Sequence, residues 1–340
     1  MDRVFDKFSR NQLSIPITFR LMQSMPILSN DYKPPFLFKY RHINIIYSSL
    51  FRKTKPVFFK RKRIETLDDD FLDIDFIENS SKKIVILCHG LEGSSDSKYI
   101  QATAKLLSLN GYSVAAMNYR FCSGEINRQL VTYHSGKTDD LHAVINYVLP
   151  NYESIYLVGF SLGGNLVLKY NGDSLFSLSS KIKANVAISV PVDLKGSSIA
   201  LRRSENTLYS WRFLRTLSKK MHLKHHQFPK NLDIRQLKKV KTLTDFDDYF
   251  TSKINGFEDA EDYYLKASSK QFIPNISKPT LLINALDDPF LSESCFPVRE
   301  ANESSNFYLM TPLHGGHVGF ISKGDFYWSE YQILNFLDRN

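Results

Sequence analysis

Ser154-Ile155-Tyr156-Leu157-Val158-Gly159-Phe160-Ser161-Leu162-Gly163-Gly164-Asn165 is the stretch whose reading decides the fold. The run Ser154 to Val158 is apolar and rich in β-formers. It feeds the G-x-S-x-G pentapeptide Gly159 to Gly163, and the apolar stretch Leu166 to Tyr170 follows with helical character. Strand, G-x-S-x-G, helix is the context in which a serine occupies a strained turn with its hydroxyl beyond the edge of a sheet. The flanking glycines fit that turn, because a Cβ there would collide with the neighbouring strand and helix. Ser161 is therefore the candidate covalent nucleophile, and acyl transfer to water or to an alcohol is the expected chemistry.

Outward from this turn, strand and helix signals alternate. Val57–Thr66 and Phe71–Phe76 carry β-formers around Asp68-Asp69-Asp70 and predict an antiparallel hairpin. Lys83–His89, Ser113–Tyr119, Ser154–Phe160, Ala184–Val190, Thr280–Ala285 and Phe307–Met310 predict further strands. Helices are expected over Ser97–Leu109, closed by Asn110-Gly111, over Thr138–Val148 and over Tyr327–Leu337. Asp139 and Asp140 lie at the start of the second, where acidic groups suit the helix dipole. Such alternation implies an α/β fold with a mostly parallel sheet covered by helices on both faces. Residues 193–277 break the rhythm. They are charged, aromatic and expected to fold as several short helices, a cap or lid inserted before the strand that begins at Thr280. The expected organisation is a core of residues 32–192 and 278–340, the cap 193–277, and a flexible N-terminal extension over 1–31.

At 340 residues the chain is long enough for one large α/β domain. Cys88, Cys122 and Cys295 are too few and too scattered for a disulfide framework or a zinc site, which suggests a reducing, cytoplasmic setting. No run approaches the ~20 apolar residues of a membrane span, and Met1 to Arg20 has no apolar core of a secretory signal. The net charge is +9, much of it between Lys195 and Lys241. No nucleic-acid motif accompanies that charge, so a solvated helical face is expected, with weak peripheral contact to an anionic membrane as the alternative.

A serine hydroxyl needs a general base, usually a histidine oriented by a carboxylate. With this strand–turn–helix the chain order is Ser, then Asp or Glu, then His. The strand Pro279–Asn284 leads into Asp287-Asp288-Pro289-Phe290, and the strand Phe307–Met310 leads into His314-Gly315-Gly316-His317. Asp288 is preferred to Asp287, because Pro289 fixes a sharp turn behind it. His317 is preferred to His314, because the glycine pair lets the chain swing back toward the nucleophile. The oxyanion needs two backbone donors. The amide of Leu162 supplies one, and the loop His89-Gly90-Leu91-Glu92-Gly93 supplies the other, with Leu91 as the candidate. His89, Glu92, Phe160 and Cys122 are candidates for the pocket wall; Cys122 is either a reactive thiol there or a structural residue. No cofactor and no metal is required. His134 and Asp139 match H-x-x-x-x-D, but a helix N-terminus accounts for the pattern. His222, His225 and His226 lack a spaced carboxylate or thiol and are expected on a helix surface.

With these residues in view, the chain resembles the YheT-like branch of the α/β-hydrolase superfamily, related to eukaryotic abhydrolase-domain lipases and yeast medium-chain ester synthases. The resemblance begins near Lys33. It is carried by Pro34-Pro35-Phe36, His89–Ser94, Asn118–Glu125, Tyr133–Gly136, Gly159–Asn165, Phe246-Asp247-Asp248, Gly256-Phe257, Asp259–Tyr264, Asp287–Phe290 and His314–Phe320. It implies a triad of Ser161, Asp288 and His317, and hydrolysis of short- to medium-chain acyl esters. Many eukaryotic relatives carry an N-terminal membrane anchor, which the resemblance does not extend to this chain.

Overall fold

Parallel strands that alternate their side chains between two buried faces need helices on both sides. The computed structural model, which describes residues 26–340, has that layout. Among the described residues eight strands form one sheet: β1 (Lys60–Glu65), β2 (Phe71–Ile77), β3 (Lys83–Cys88), β4 (Ser113–Asn118), β5 (Ser154–Phe160), β6 (Ile182–Ile188), β7 (Thr280–Ile283) and β8 (Phe307–Met310). Their spatial order is β1-β2-β4-β3-β5-β6-β7-β8. The hairpin β1–β2 is antiparallel and β2 joins β4 antiparallel. Every later pairing is parallel, so the carboxyl ends of β3, β5, β6, β7 and β8 lie along one edge.

The helices are α1 (Arg41–Ile46), α2 (Lys98–Leu109), α3 (Thr138–Val148), α4 (Leu162–Gly172), α5 (Leu194–Leu201), α6 (Thr207–Gln227), α7 (Ala260–Ala267) and α8 (Trp328–Arg339), with shorter turns between them. The period of two along a strand decides which layer each residue joins. Val85 and Leu87 of β3 pack with Ala104 and Leu107 of α2 and with Ile333 and Leu337 of α8. Ile84, Ile86 and Cys88 face the other way, onto Leu141 and Ile145 of α3 and Leu166 and Tyr170 of α4. The segment between β6 and β7 builds a separate apolar cluster from Leu217, Met221, Leu243, Phe246, Phe250 and Ile254, against which Leu91 of the core packs.

Two expectations are corrected. The segment after Val192 is not only short pieces, since α6 runs for 21 residues. The N-terminal extension does not reach residue 31. Pro26 O accepts from Leu309 N at 2.7 Å and Leu28 N donates to Leu309 O at 2.8 Å, which pins residues 26–28 to the β8 edge. The remainder of that expectation, residues 1–25, lies outside the described residues. The stretch Arg41–Phe51, to which the sequence analysis assigns no element, is helical, continuing past α1 as a wide turn over Tyr47–Phe51. Its anchor is Arg52, whose buried guanidinium makes two bonds to Glu330, at 2.5 and 2.8 Å, at the start of α8. No described helix is long and apolar enough to cross a membrane.

Candidate active site

Strand β5 delivers Ser161 into a turn that few residues other than glycine adopt. Its φ is 53° and ψ −119°, and it stands immediately before α4. The strain is held from both sides. Ser161 N donates to Ile188 O at 2.8 Å, and Ser161 O accepts from Gly164 N at 2.9 Å and Asn165 N at 3.1 Å. The turn is so tight that a Cβ on Gly159 would lie 2.2 Å from Gly163 O, and one on Gly163 would lie 2.3 Å from Cys88 O. These are the collisions with helix and strand that the sequence anticipates.

The Ser161 hydroxyl lies 2.8 Å from His317 Nε2, and His317 Nδ1 lies 2.8 Å from Asp288 Oδ2. A carboxylate only accepts, so Nδ1 carries the proton and donates it to Asp288. Nε2 is left with a lone pair, to which Ser161 donates. The Asp288 side chain is fully buried and its second oxygen accepts from Phe290 N at 2.9 Å, which fixes its rotamer. The Phe290 ring lies 4.4 Å from the His317 ring and limits its tilt. Asp287 points elsewhere. Its Oδ1 accepts from Gly316 N at 2.9 Å and its Oδ2 faces His314 Nδ1 at 3.5 Å, so this second Asp–His pair braces the histidine loop. Burial pushes the Asp287 carboxyl above its ordinary range.

The loop after β3 passes close beside the serine. Gly90 is so close that a Cβ there would lie 3.2 Å from Ser161 Cβ. Gly90 N donates to Tyr99 Oη at 2.9 Å and Glu92 N donates to Tyr133 Oη at 3.0 Å. Between them, the Leu91 amide has no protein acceptor among the described residues, and neither has the Leu162 amide in the first turn of α4.

A cavity of about 660 Å³ opens over Ser161 and His317. Leu208, Trp211, Phe213, Leu217 and Met221 of α6 form one wall, Ile45, Ile46 and Leu50 another, and Leu91, Leu162 and Phe290 line it near the serine. Of the four pocket candidates, Glu92 lines the cavity; its carboxylate accepts from Tyr133 Oη at 2.6 Å and Lys220 Nζ at 2.7 Å. The other three do not. His89 is fully buried, donating from Nδ1 to Gly90 O at 2.8 Å and accepting at Nε2 from Tyr119 N at 3.3 Å. Desolvation pulls its pKa down to about 3, so it is a neutral brace under the oxyanion loop. Phe160 is buried with its ring 4.8 Å from Tyr99, because the residue before the serine points back into the α2 layer. Cys122 lies behind the wall with its Sγ 3.3 Å from Lys220 Nζ. Burial pushes its thiol up to about 11, so it is not a reactive thiolate.

The weaker candidates stay apart from the chemistry. Asp139 pairs with Lys137 at 2.8 Å, and His134 Nδ1 accepts from Gly136 N at 3.1 Å, so the two do not form a dyad. Most basic residues after Lys195 are exposed, but Lys224 is buried, donating to Asn127 O at 2.8 Å and to Gln129 O. Three positioning residues left no mark in the sequence. Ser189, at φ 54° after β6, accepts from Val318 N at 2.9 Å and steers the histidine loop. Asn284 ties Val190 to Cys295 through its amide. Asn165 joins α4 to Ser135 and Ala267 at 3.0 and 2.8 Å. A polar residue at a strand or helix end has many structural uses, and only the tertiary partner reveals which applies.

The comparisons with known proteins agree with this architecture. A sequence model of the family described as alpha/beta hydrolase fold matches residues 83–324. The chain is 33% identical over 304 residues to the provisionally named esterase YheT of Escherichia coli strain K12, covering 86% of this chain and 88% of that one. It is 30% identical to monoacylglycerol lipase ABHD2 of Homo sapiens and 28% identical to phospholipase ABHD3 of Mus musculus; each match covers 88% of this chain and 76% of the relative. Among solved structures, the Pyrococcus furiosus esterase PF2001 superposes with a TM-score of 0.56 at 19% identity, covering 83% of this chain and 91% of that one, which is a likeness of fold. The chain belongs to the α/β-hydrolase family, in its YheT-like branch of esterases and lipases.

Proposed function

We propose that the protein is a serine carboxylesterase that hydrolyses short- to medium-chain acyl esters through an acyl-enzyme on Ser161. The observation that carries this reading is the unbroken relay Ser161 Oγ–His317 Nε2, His317 Nδ1–Asp288 Oδ2, both at 2.8 Å, at the floor of a mostly apolar cavity. Ser161 Oγ attacks the ester carbonyl as its proton passes to His317 Nε2. The negative charge that develops on the carbonyl oxygen is received by the Leu91 and Leu162 amides. Collapse expels the alcohol, which takes its proton from His317. A water then attacks the acyl-serine with His317 again as base, and releases the acid and the free serine. Asp288 stays ionised, holding the imidazole tautomer and stabilising its charged form.

The insertion over residues 193–277 acts as the cap, and its α6 wall takes the acyl chain. The relatives named monoacylglycerol lipase and phospholipase support a lipid-derived ester. The rim supports peripheral contact with the surface on which such esters reside. Leu50, Leu208 and Trp211 line the cavity and are also largely exposed, beside exposed Tyr47 and Phe51 and near Arg212 and Arg215. Three free cysteines suit a reducing compartment, and we place the reaction in the cytoplasm.

The test is a chain-length series of p-nitrophenyl esters with the wild type and Ser161→Ala. The wild type turns over acetyl to octanoyl esters and discriminates against longer chains. Ser161→Ala loses at least about 10³-fold in kcat. Turnover that survives in the variant would place the chemistry elsewhere.

A further inference from the structure

The charged groups around the cavity are answered within the protein or by solvent, with one exception. Glu92 meets Lys220 at 2.7 Å and Arg52 meets Glu330. Asp96, Lys98 and Arg212 stand exposed at the rim. Asp247 lines the cavity under the insertion and has only neutral donors, Thr251 Oγ1 at 2.7 Å to Oδ1 and Tyr264 Oη at 2.7 Å to Oδ2. Among the described residues no lysine, arginine or histidine forms an ion pair with it. Asp247 belongs to the Phe246-Asp247-Asp248 stretch, which the triad chemistry leaves without a role.

The surroundings of Asp247 are built. Phe246 is buried in the apolar cluster that holds Leu217 and Met221 of α6 and against which Leu91 packs, so Asp247 follows a residue anchored between α6 and the loop after β3. Tyr263 and Tyr264 of α7 are packed together beside it, with ring centroids 5.3 Å apart, and both line the cavity with Ser198. Asp247, Ser198, Tyr263 and Tyr264 form a polar group in a lining that also holds Ser161 and His317.

Resting on the esterase reading above, we propose that Asp247 is the binding site for an ammonium group carried by the ester. Asp247 is half-buried, with two neutral donors and no counter-charge, and a bound cation supplies that charge where a hydroxyl would add only one more hydrogen bond. The tyrosine rings beside it favour a cation further. Burial pushes the Asp247 carboxyl up to about 6, which agrees with a group that lacks a cation. The net charge of +9 repels cations at long range, so the recognition is short-range and local.

The groups facing Asp247 do not confuse a pH experiment. Burial holds the Tyr263 and Tyr264 hydroxyls well above their ordinary range. His134, beside Tyr263, is pulled down to about 3 and stays neutral. Asp248 accepts from Ala260 N at 3.1 Å, and Lys220 remains bound to Glu92. Any change in the shared triad acts on both esters alike and cancels in a ratio.

The test compares butyrylcholine with 3,3-dimethylbutyl butyrate, which has the same shape with carbon in place of the charged nitrogen. Both are assayed with the full chain and with Asp247→Asn from pH 5 to 8. The wild type favours the choline ester in kcat/KM by about tenfold or more above pH 6. The preference fades as pH falls through about 6 and Asp247 takes up a proton. Asp247→Asn retains turnover of the neutral ester and shows no preference at any pH. An equal ratio in the two proteins, or a wild-type preference for the neutral ester, overturns the proposal. If the variant does not fold, inhibition of p-nitrophenyl butyrate hydrolysis by butyltrimethylammonium is measured on the wild type. The proposal requires that inhibition to weaken below pH 6, and a pH-independent inhibition overturns it. If no ester is turned over at all, the esterase reading fails. The subsite is then judged by whether choline raises the Tm of the wild type at pH 8 and not at pH 5.

Discussion

Ser161 sits at φ 53° because Gly159 and Gly163 let α4 start against the ends of β3 and β5. Its Oγ lies 2.8 Å from His317 Nε2, the base of the proposed mechanism, and the tautomer of His317 is set by Asp288. Asp287, one residue away, bonds to Gly316 N and braces the loop instead. The two acids therefore separate on substitution. Asp288→Asn presents an amide to Nδ1, favours the wrong tautomer and lowers kcat by about 10³- to 10⁴-fold. Asp287→Asn keeps an acceptor for Gly316 N and lowers kcat by about tenfold or less. Steady-state kinetics on one p-nitrophenyl ester checks both, and equal losses would refute the assignment. This pair also marks how far the sequence reaches. Asp288 and His317 were legible from chain order and from Pro289 and the glycine pair. Ser189 and Asn284 were not, because their roles rest on partners more than ninety residues away in the chain. His89 and Phe160 adjoin functional residues, but a strand alternates its faces and a tight turn points its neighbours inward.

At the scale of elements, the junction of β5 and α4 tolerates no side chain on its glycines. Gly163→Ala would place a methyl 2.3 Å from Cys88 O, a backbone atom that cannot rotate away. The variant loses about 3 kcal/mol or more, read by urea unfolding, and with it the geometry of the Leu162 amide. Lys224 fixes α6 to the Asn127–Gln129 loop from a buried position, and desolvation lowers its pKa to about 8. An unfolded lysine titrates near 10.4. Between these values the unfolded chain holds the extra proton, so stability rises with pH through that window. Lys224→Met removes this alkaline slope from a plot of unfolding free energy against pH; an unchanged slope would contradict the burial argument. The long α6 was read as short pieces because its apolar and basic residues lack a clean helical period, Lys220 and Lys224 both facing inward. The helix at Arg41–Phe51 was missed because much of its apolar surface, including Ile43, Tyr47 and Leu50, is exposed.

For the molecule as a whole, the cavity is shaped by three parts of the chain that meet only in the fold: the β-strand ends, the insertion before β7, and the N-terminal helix. The last is joined to the turn before α6 by Arg41–Glu205 and to α6 itself by His42 Nδ1, 3.1 Å from Tyr209 Oη. It is held to the core by the buried Arg52–Glu330 pair. Removing one member leaves an unanswered buried charge, so Glu330→Gln costs about 3 kcal/mol in stability. The parallel sheet and the helices on both its faces were legible from alternation of strand and helix, whereas this three-way closure was not, because each part contributes apolar residues that read as ordinary surface or core. The exposed rim gives a further consequence. Tyr47→Ala combined with Phe51→Ala, both exposed and outside the cavity lining, reduces turnover of esters dispersed in anionic vesicles by about tenfold and leaves soluble p-nitrophenyl esters unaffected. Equal effects on both substrates would contradict contact of the two side chains with the vesicle surface.

The claim on which the account depends is that Ser161 forms the covalent acyl intermediate. Its most direct test is intact and peptide mass spectrometry after treatment with a fluorophosphonate. The account predicts one adduct per chain, on the peptide that contains Ser161, and none on Ser161→Ala. An adduct on another residue, or labelling that persists in Ser161→Ala, would contradict it.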